Sequence, residues 1–408
     1  MPRDRILALV QAGGAGSRMD VLTRERAKPA LPFAGVFQLV DFPLSNLAHS
    51  GISDVWLSVQ YLGSSLEEQV ANGRPWGLDR TRGGLRLLMP QQGTGTLDEE
   101  GFARGNADGL YRIRDQIADF APETLLVLSA DHVYRFDYNT AIAAHRASGA
   151  ACTLVTSTVA LDEASNHATV TCDGTGRVTK FAYKPDEPDT ETVATEIFVY
   201  DPKILVEILE ELHRELSAQS EPGDTGLGDF GEHLVPRMVE RGLAFAYQMS
   251  GYWRDLGQPH KYLQAHQDLL TDDLGVLADP GWPILTQQPP RVPARVLEGG
   301  VVVDSVLSPG VRVEGTVHRS VLGPGVMVEA GATVRNSVLF TDTVVRSGST
   351  VDWAVVDRDC EIAGAEVGDP AARALDDPDE VVLVGRDSTV GPGARLAKGA
   401  RLEPGSAA

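Results

Sequence analysis

The chain has 408 residues, a formal charge of −21 at neutral pH and 42% hydrophobic residues. At roughly 150 residues per domain this length predicts two or three domains, and the acidic balance argues against nucleic acid or an anionic membrane surface as partner. No apolar run approaches the ~20 residues of a membrane span or forms an N-terminal signal core. Cys152, Cys172 and Cys360 lack metal-type spacing, so the expected setting is a cytoplasm with reduced thiols.

Ile6 to Val10 is an unbroken apolar run, which predicts a strand buried on both faces. It leads into Gln11, Ala12, Gly13, Gly14, Ala15, Gly16 and Ser17. Glycines there let successive N–H groups turn towards an anion. Arg18 adds a planar fork for phosphate oxygens and Lys28 a point charge. A loop wrapping a triphosphate fits this composition, and so does a plain glycine-rich strand-to-helix turn. The spacing matches neither G-x-x-x-x-G-K-[ST] nor G-x-G-x-x-G. Six basic residues fall within the first 28 (Arg3, Arg5, Arg18, Arg24, Arg26, Lys28), which predicts a basic mouth on an acidic protein.

Further strands are expected at Asp54–Gln60, Glu123–Ser129 and Ala150–Thr156, with a helix over Ala141–Ala147. The alternation predicts a mainly parallel sheet with helices on both faces. Ligands bind beyond the carboxyl ends of such strands, where the glycine loop and Asp131 both fall. Residues 271–296 are rich in Pro, Asp and Gln and read as a linker. From about Leu297 apolar residues recur every six positions: Val301, Leu307 and Val313, then Val328 and Val334, then Val384, Val390, Leu396 and Leu402. That period predicts a parallel β-helix of hexapeptide turns, with a set of short antiparallel strands as the alternative. The acidic stretch Asp369–Glu380 interrupts it as a protruding loop.

The glycine loop with Arg18, followed by Arg26-Ala27-Lys28-Pro29, resembles the signature of sugar-1-phosphate nucleotidyltransferases. Further landmarks resemble the glucose-1-phosphate adenylyltransferases: Val40-Asp41-Phe42-Pro43-Leu44-Ser45-Asn46, Gln60-Tyr61, Gln91-Gln92, Arg104-Gly105-Asn106-Ala107-Asp108, Ala130-Asp131-His132, Lys184-Pro185, Asp229-Phe230-Gly231 and Tyr252-Trp253-Arg254-Asp255-Leu256-Gly257. The resemblance implies an α/β fold, a Rossmann-like, GT-A-like catalytic domain over 1–270 built on a mixed, mainly parallel sheet. A linker (271–296) and a left-handed β-helix for assembly or regulation (297–408) follow. It implies transfer from a nucleoside triphosphate to a sugar 1-phosphate, with pyrophosphate as product, in a homotetramer.

The nucleophile of that reaction is already an anionic phosphate oxygen, so alignment and charge neutralisation replace a general base. A hard cation, Mg²⁺, fits such a site. By resemblance Asp131 and Asp255 would hold it, Arg18 and Lys28 the departing phosphates, and Lys184 the sugar phosphate. Gln91 and Gln92 would read the base, with Gly105 and Asn106 beside the nucleotide. His132 is expected to be structural, because Mg²⁺ prefers oxygen ligands.

Specificity positions depart from the family pattern. Ala15 stands where the family has arginine, Tyr183 replaces the glutamate of E-K-P, Ala168 lies in His167-Ala168-Thr169 where the family has F-G-V, and Ala194-Thr195-Glu196 replaces S-M-G. Glu196 is expected to take over part of the lost glutamate's role towards the sugar. Glu25 replaces an activator-type lysine, which argues against a sugar-bisphosphate activator bound there. ATP and glucose 1-phosphate are the default substrates. GTP with glucose 1-phosphate, another base or sugar, and a catalytically silent regulatory homologue are the alternatives. Acyl transfer by the β-helix has only His318 as a histidine base.

Overall fold

A computed structural model describes residues 5–13, 16–89, 103–220, 224–271, 275–371 and 377–408. The apolar run at the N-terminus forms β1 (Ile6–Ala12), almost entirely buried. It is flanked by β2 (Asp54–Val59), with β3 (Gly84–Leu88) beyond, and by β4 (Thr124–Ser129), all parallel. The short β5 (His132–Tyr134) follows β4 directly. Next come β6 (Cys152–Thr158), β7 (Ala168–Cys172), β8 (Val178–Tyr183), β9 (Thr192–Tyr200), β10 (Ala244–Gln248) and β11 (Trp253–Asp255).

The main sheet runs β8-β7-β9-β4-β1-β2-β3, and β6 joins β9 to β10. It is mixed to a greater degree than the strand–helix alternation predicts. β9 lies antiparallel to both β4 and β6, because β7, β8 and β9 return by short connections instead of helical crossovers. One apolar layer covers each face of the sheet, with Val10, Leu57 and Leu126 in one and Leu9, Val127 and Phe198 in the other.

From Arg295 onward, three six-stranded parallel sheets stack coil upon coil as a left-handed β-helix of hexapeptide turns. Val313, Val328, Val334 and Val390 fill its interior. Val296 and Val301 are exposed, because they sit on the first coil with nothing stacked before it. The segment between the two lobes docks on the first lobe over residues 282–286. Trp282 Nε1 donates to Asn46 Oδ1 at 2.8 Å, Gln69 Nε2 to Thr286 Oγ1 at 3.0 Å, and Ile284 is buried. A shared core of Met19, Val21, Leu22, Phe33, Tyr262, Phe340 and Leu383 joins the lobes.

Candidate active site

Glycine is required where the chain leaves β1. Gly16 has φ 67°, and a Cβ there would stand 3.1 Å from the Cβ of Lys28. This close approach leaves Lys28 only 7% exposed, within a short turn. Asp131 follows β4 on the same sheet edge. Its carboxylate accepts from Ser129 Oγ at 2.5 Å and from Lys28 Nζ at 2.6 Å.

Asp255 arrives from far along the chain. β5 and β11 form a two-stranded antiparallel ribbon in which Asp255 stands opposite His132. This register sets Asp255 Oδ1 3.5 Å from Lys28 Nζ and 3.6 Å from His132 Nε2, which is also 3.6 Å from Asp131 Oδ1. One ligand atom each from Asp131, His132 and Glu196 lie within 4.8 Å of one another. Glu196 reaches the group through a break in register between β9 and β6, with φ 56° at Glu196 itself. Such a bulge re-aims a side chain that regular alternation would place elsewhere.

The charges hold one another. Burial opposes the Lys28 ammonium, and the Asp131 and Asp255 carboxylates outweigh it, so its pKa rises above the usual value. Burial likewise opposes the Asp131 and Asp255 carboxylates, yet Lys28 and His132 pull both below the usual range. For His132, burial favours the neutral ring, and the carboxylates of Asp131, Asp255 and Glu196 reverse that and raise it. His167, behind Asp255, is pushed down to about 4 by burial.

A second cluster closes the opposite wall. Gly105, at φ 118°, passes so close to Gly228 that a Cβ would stand 2.3 Å from its backbone. The crossing lets Asn106 N donate to Asp229 Oδ1 (3.2 Å) and Phe230 N to Asn106 Oδ1 (2.9 Å). Gln11 Nε2 donates to Asn106 O at 3.0 Å, tying this wall to β1. Tyr183 donates through its hydroxyl to Asp229 Oδ2 at 3.0 Å and accepts from Lys184 Nζ at 3.0 Å.

These groups line one open cavity of about 410 Å³. Gln11, Ala12, Gly13, Arg18, Lys28, Gly105, Asn106, Asp131, Tyr183, Lys184, Glu196 and Asp255 all face it. Ala168 lines a smaller recess beside it, together with Lys184 and Glu196. Gly16 shapes the turn without lining the cavity, and Ser17 is exposed. Gly14, Ala15, Gln91 and Gln92 lie outside the described residues. Asp229, Gln60 and Tyr61, which the resemblance marks as landmarks without a role, also line the cavity.

The basic mouth is narrower than the sequence predicts. Arg5 stacks on Phe120, Arg24 pairs with Asp20 and Glu403, and Arg26 pairs with Asp357. Arg18 and Lys28 alone of the six reach the cavity among the described residues, since each of these three finds a nearer aromatic or acidic partner.

The family described as Nucleotidyl transferase matches residues 7–272, and GlmU-like, C-terminal hexapeptide matches residues 292–378. The chain is 37% identical to the glucose-1-phosphate adenylyltransferase of Thermomicrobium roseum over 75% of its own length and 69% of the relative's. The glucose-1-phosphate adenylyltransferases of Clostridium acetobutylicum and Clostridium perfringens are 34% and 33% identical. They align with 77% and 82% of this chain and with 84% of each relative.

Proposed function

On the premise that this chain belongs to the nucleotidyl transferase family, and to its glucose-1-phosphate adenylyltransferase branch, we propose the reaction its cavity performs. The chain is a nucleotidyltransferase: ATP and glucose 1-phosphate give ADP-glucose and pyrophosphate. The observation that carries this reading is the Lys28–Asp131–Asp255 constellation, a buried cation between two carboxylates beside the glycine loop.

A phosphate oxygen of glucose 1-phosphate attacks the α-phosphorus of ATP, the bond to the β-phosphate breaks, and pyrophosphate departs. No proton has to be removed from the nucleophile. Catalysis therefore consists of aligning two anions and screening charge on the departing group. Arg18 and Lys28 face the cavity from the loop side and hold the departing phosphates. Lys184, on the opposite wall, holds the sugar phosphate, and Tyr183 keeps its ammonium at the rim. Glu196 accepts hydrogen bonds from sugar hydroxyls.

The donor set suits a hard divalent cation, since Asp131 and Glu196 bring carboxylate oxygens into one group with His132, and Asp255 Oδ1 lies 3.6 Å from the same ring. Asp131 and Asp255 would hold Mg²⁺, which supplies positive charge to the phosphate oxygens in the transition state. His132 Nδ1 is engaged with the Thr195 carbonyl at 3.1 Å, which fixes the ring between the two aspartates. The test is isothermal titration of Mg²⁺ with ATP against the unaltered chain and Asp131→Asn. Metal-dependent ATP binding lost in the variant supports the assignment, and equal binding by both proteins refutes it.

A further inference from the structure

Arg18 and Lys28 stand at the two ends of one segment, and that segment is held largely by the β-helix. Met19, Val21 and Leu22 are buried in the core shared with Val381 and Leu383. Arg401 Nε meets Asp20 Oδ2 at 3.0 Å, and Arg386 meets Glu25 at 3.4 Å. Asp20 itself has φ 53° and ψ −129°, a conformation that persists only where surroundings enforce it.

The buried contact is the decisive one. Arg26 Nη2 donates to Asp357 Oδ1 at 2.6 Å, with the two side chains 8% and 1% exposed. Asp357 is rigidly seated in the β-helix. Its carboxylate also accepts from Arg358 N at 2.6 Å, and its carbonyl from Thr343 Oγ1 at 2.7 Å. Arg26 lies two residues before Lys28. Arg26 Nη1 is buried without a hydrogen-bond partner among the described residues, so one fork of the guanidinium is given up to keep this geometry.

We propose that Asp357 is a positioning residue for nucleotidyl transfer: through Arg26 it fixes where the Lys28 ammonium stands, making the β-helix a working part of the phosphate site. The proposal rests on the reading of Lys28 as a cation for the departing phosphates. A contact that merely joined the lobes would tolerate drift along the interface. A contact two residues from Lys28 cannot drift without moving an ammonium 2.6 Å from Asp131. Misplacement of about 1 Å at a reacting centre costs on the order of 10²-fold.

The test is steady-state kinetics of full-length Asp357→Asn in both directions. The expected result is a rise of about tenfold in KM for ATP and for pyrophosphate, an unchanged KM for glucose 1-phosphate, and partial recovery in Asp357→Glu. A smaller fraction of active enzyme, with kcat per active site and every KM unchanged, would make the pair structural and overturn the proposal, as would unaltered kinetics. Should Asp357→Asn fail to fold, Arg26→Lys keeps the buried charge, gives up the fork and must show the same split. Failure of both to fold assigns the pair to folding and also overturns it. Lys28→Met separates the two readings. If it leaves kcat/KM for ATP unchanged, the role of Lys28 fails. If it lowers that kcat/KM while Asp357→Asn does not, only the positioning role fails.

Discussion

Lys28 Nζ stands 2.6 Å from Asp131 Oδ2, although 103 residues separate them and the lysine is almost fully enclosed. Topology sets the frame: β1 and β4 are adjacent and parallel, so the loop leaving β1 and Asp131 share one sheet edge, and the packing of Lys28 against Gly16 brings the lysine back to that edge. Lys28→Met removes the buried cation that pairs with both Asp131 and Asp255 and leaves the His132 ring facing them. The expected loss in kcat/KM is roughly 10²–10³-fold, the scale seen when a preorganised charge-stabilising group is deleted. Steady-state assays of the folded variant check it, and a loss below tenfold would contradict the assignment.

Asp41 supplies a pH dependence away from the cavity. It is wholly buried and accepts from Gln69 Nε2 at 2.8 Å and Gln38 N at 2.8 Å, while burial pushes its carboxyl up to about 7. Between about pH 4 and pH 7 the unfolded chain releases this proton and the native chain retains it. The unfolded state then binds fewer protons, so this group's contribution to stability falls as pH rises and levels off above about 7. The full displacement corresponds to at most ~4 kcal/mol. Denaturant unfolding of the unaltered chain and Asp41→Asn should show the parent's advantage shrinking by a few kcal/mol across that window. A pH-independent difference would contradict the assignment. His266, held at about 4 by burial, has the opposite sign, and the comparison of variants cancels it.

Gly105 and Gly51 separate steric need from backbone preference. A Cβ at Gly105 would strike the backbone of Gly228 at 2.3 Å, whereas at Gly51, φ 70°, none of the described residues lies within 4 Å. Gly51→Ala should cost about 1 kcal/mol, from backbone conformation alone. Gly105→Ala should cost about 3 kcal/mol or more, because strain and collision add, and should weaken the Asn106–Asp229 clasp. Thermal unfolding of both variants compares the two costs, and equal losses would refute the distinction.

Much of this architecture is legible in the sequence, and the remainder has physical reasons for being hidden. The run Ile6–Val10 and the six-residue recurrence of Val328, Val334, Val384 and Val390 announce a buried strand and a stacked coil, because each arises from local periodicity. The antiparallel placement of β9 is not local: its alternation is the same whichever direction its neighbours run. Proximity of Asp255 to Asp131 depends on the register of two three-residue strands far apart in the chain, which no periodicity encodes. Counting Arg24 and Arg26 towards a basic mouth ignores Glu403 and Asp357, more than 300 residues away, which engage them instead. His132 reads as structural from ligand preference alone, yet its ring lies 3.6 Å from both aspartates.

Leu383 lies fully buried in the core that the β-helix shares with Met19, Phe33 and Tyr262. Leu383→Ala should destabilise the chain by about 2–5 kcal/mol, as large-to-small core changes do. With the core shared, the two lobes should lose stability together, giving one shifted calorimetric transition. A transition confined to the β-helix, with the catalytic lobe unshifted, would contradict the shared core.

The most direct measurement is pyrophosphate release with Mg²⁺, crossing ATP, GTP, UTP, CTP and dTTP with several sugar 1-phosphates, beside Asp131→Asn. The predicted result is a strong preference for ATP with glucose 1-phosphate, and release abolished by Asp131→Asn. No release from any pair by the folded protein, or undiminished release by the variant, would contradict the assigned reaction.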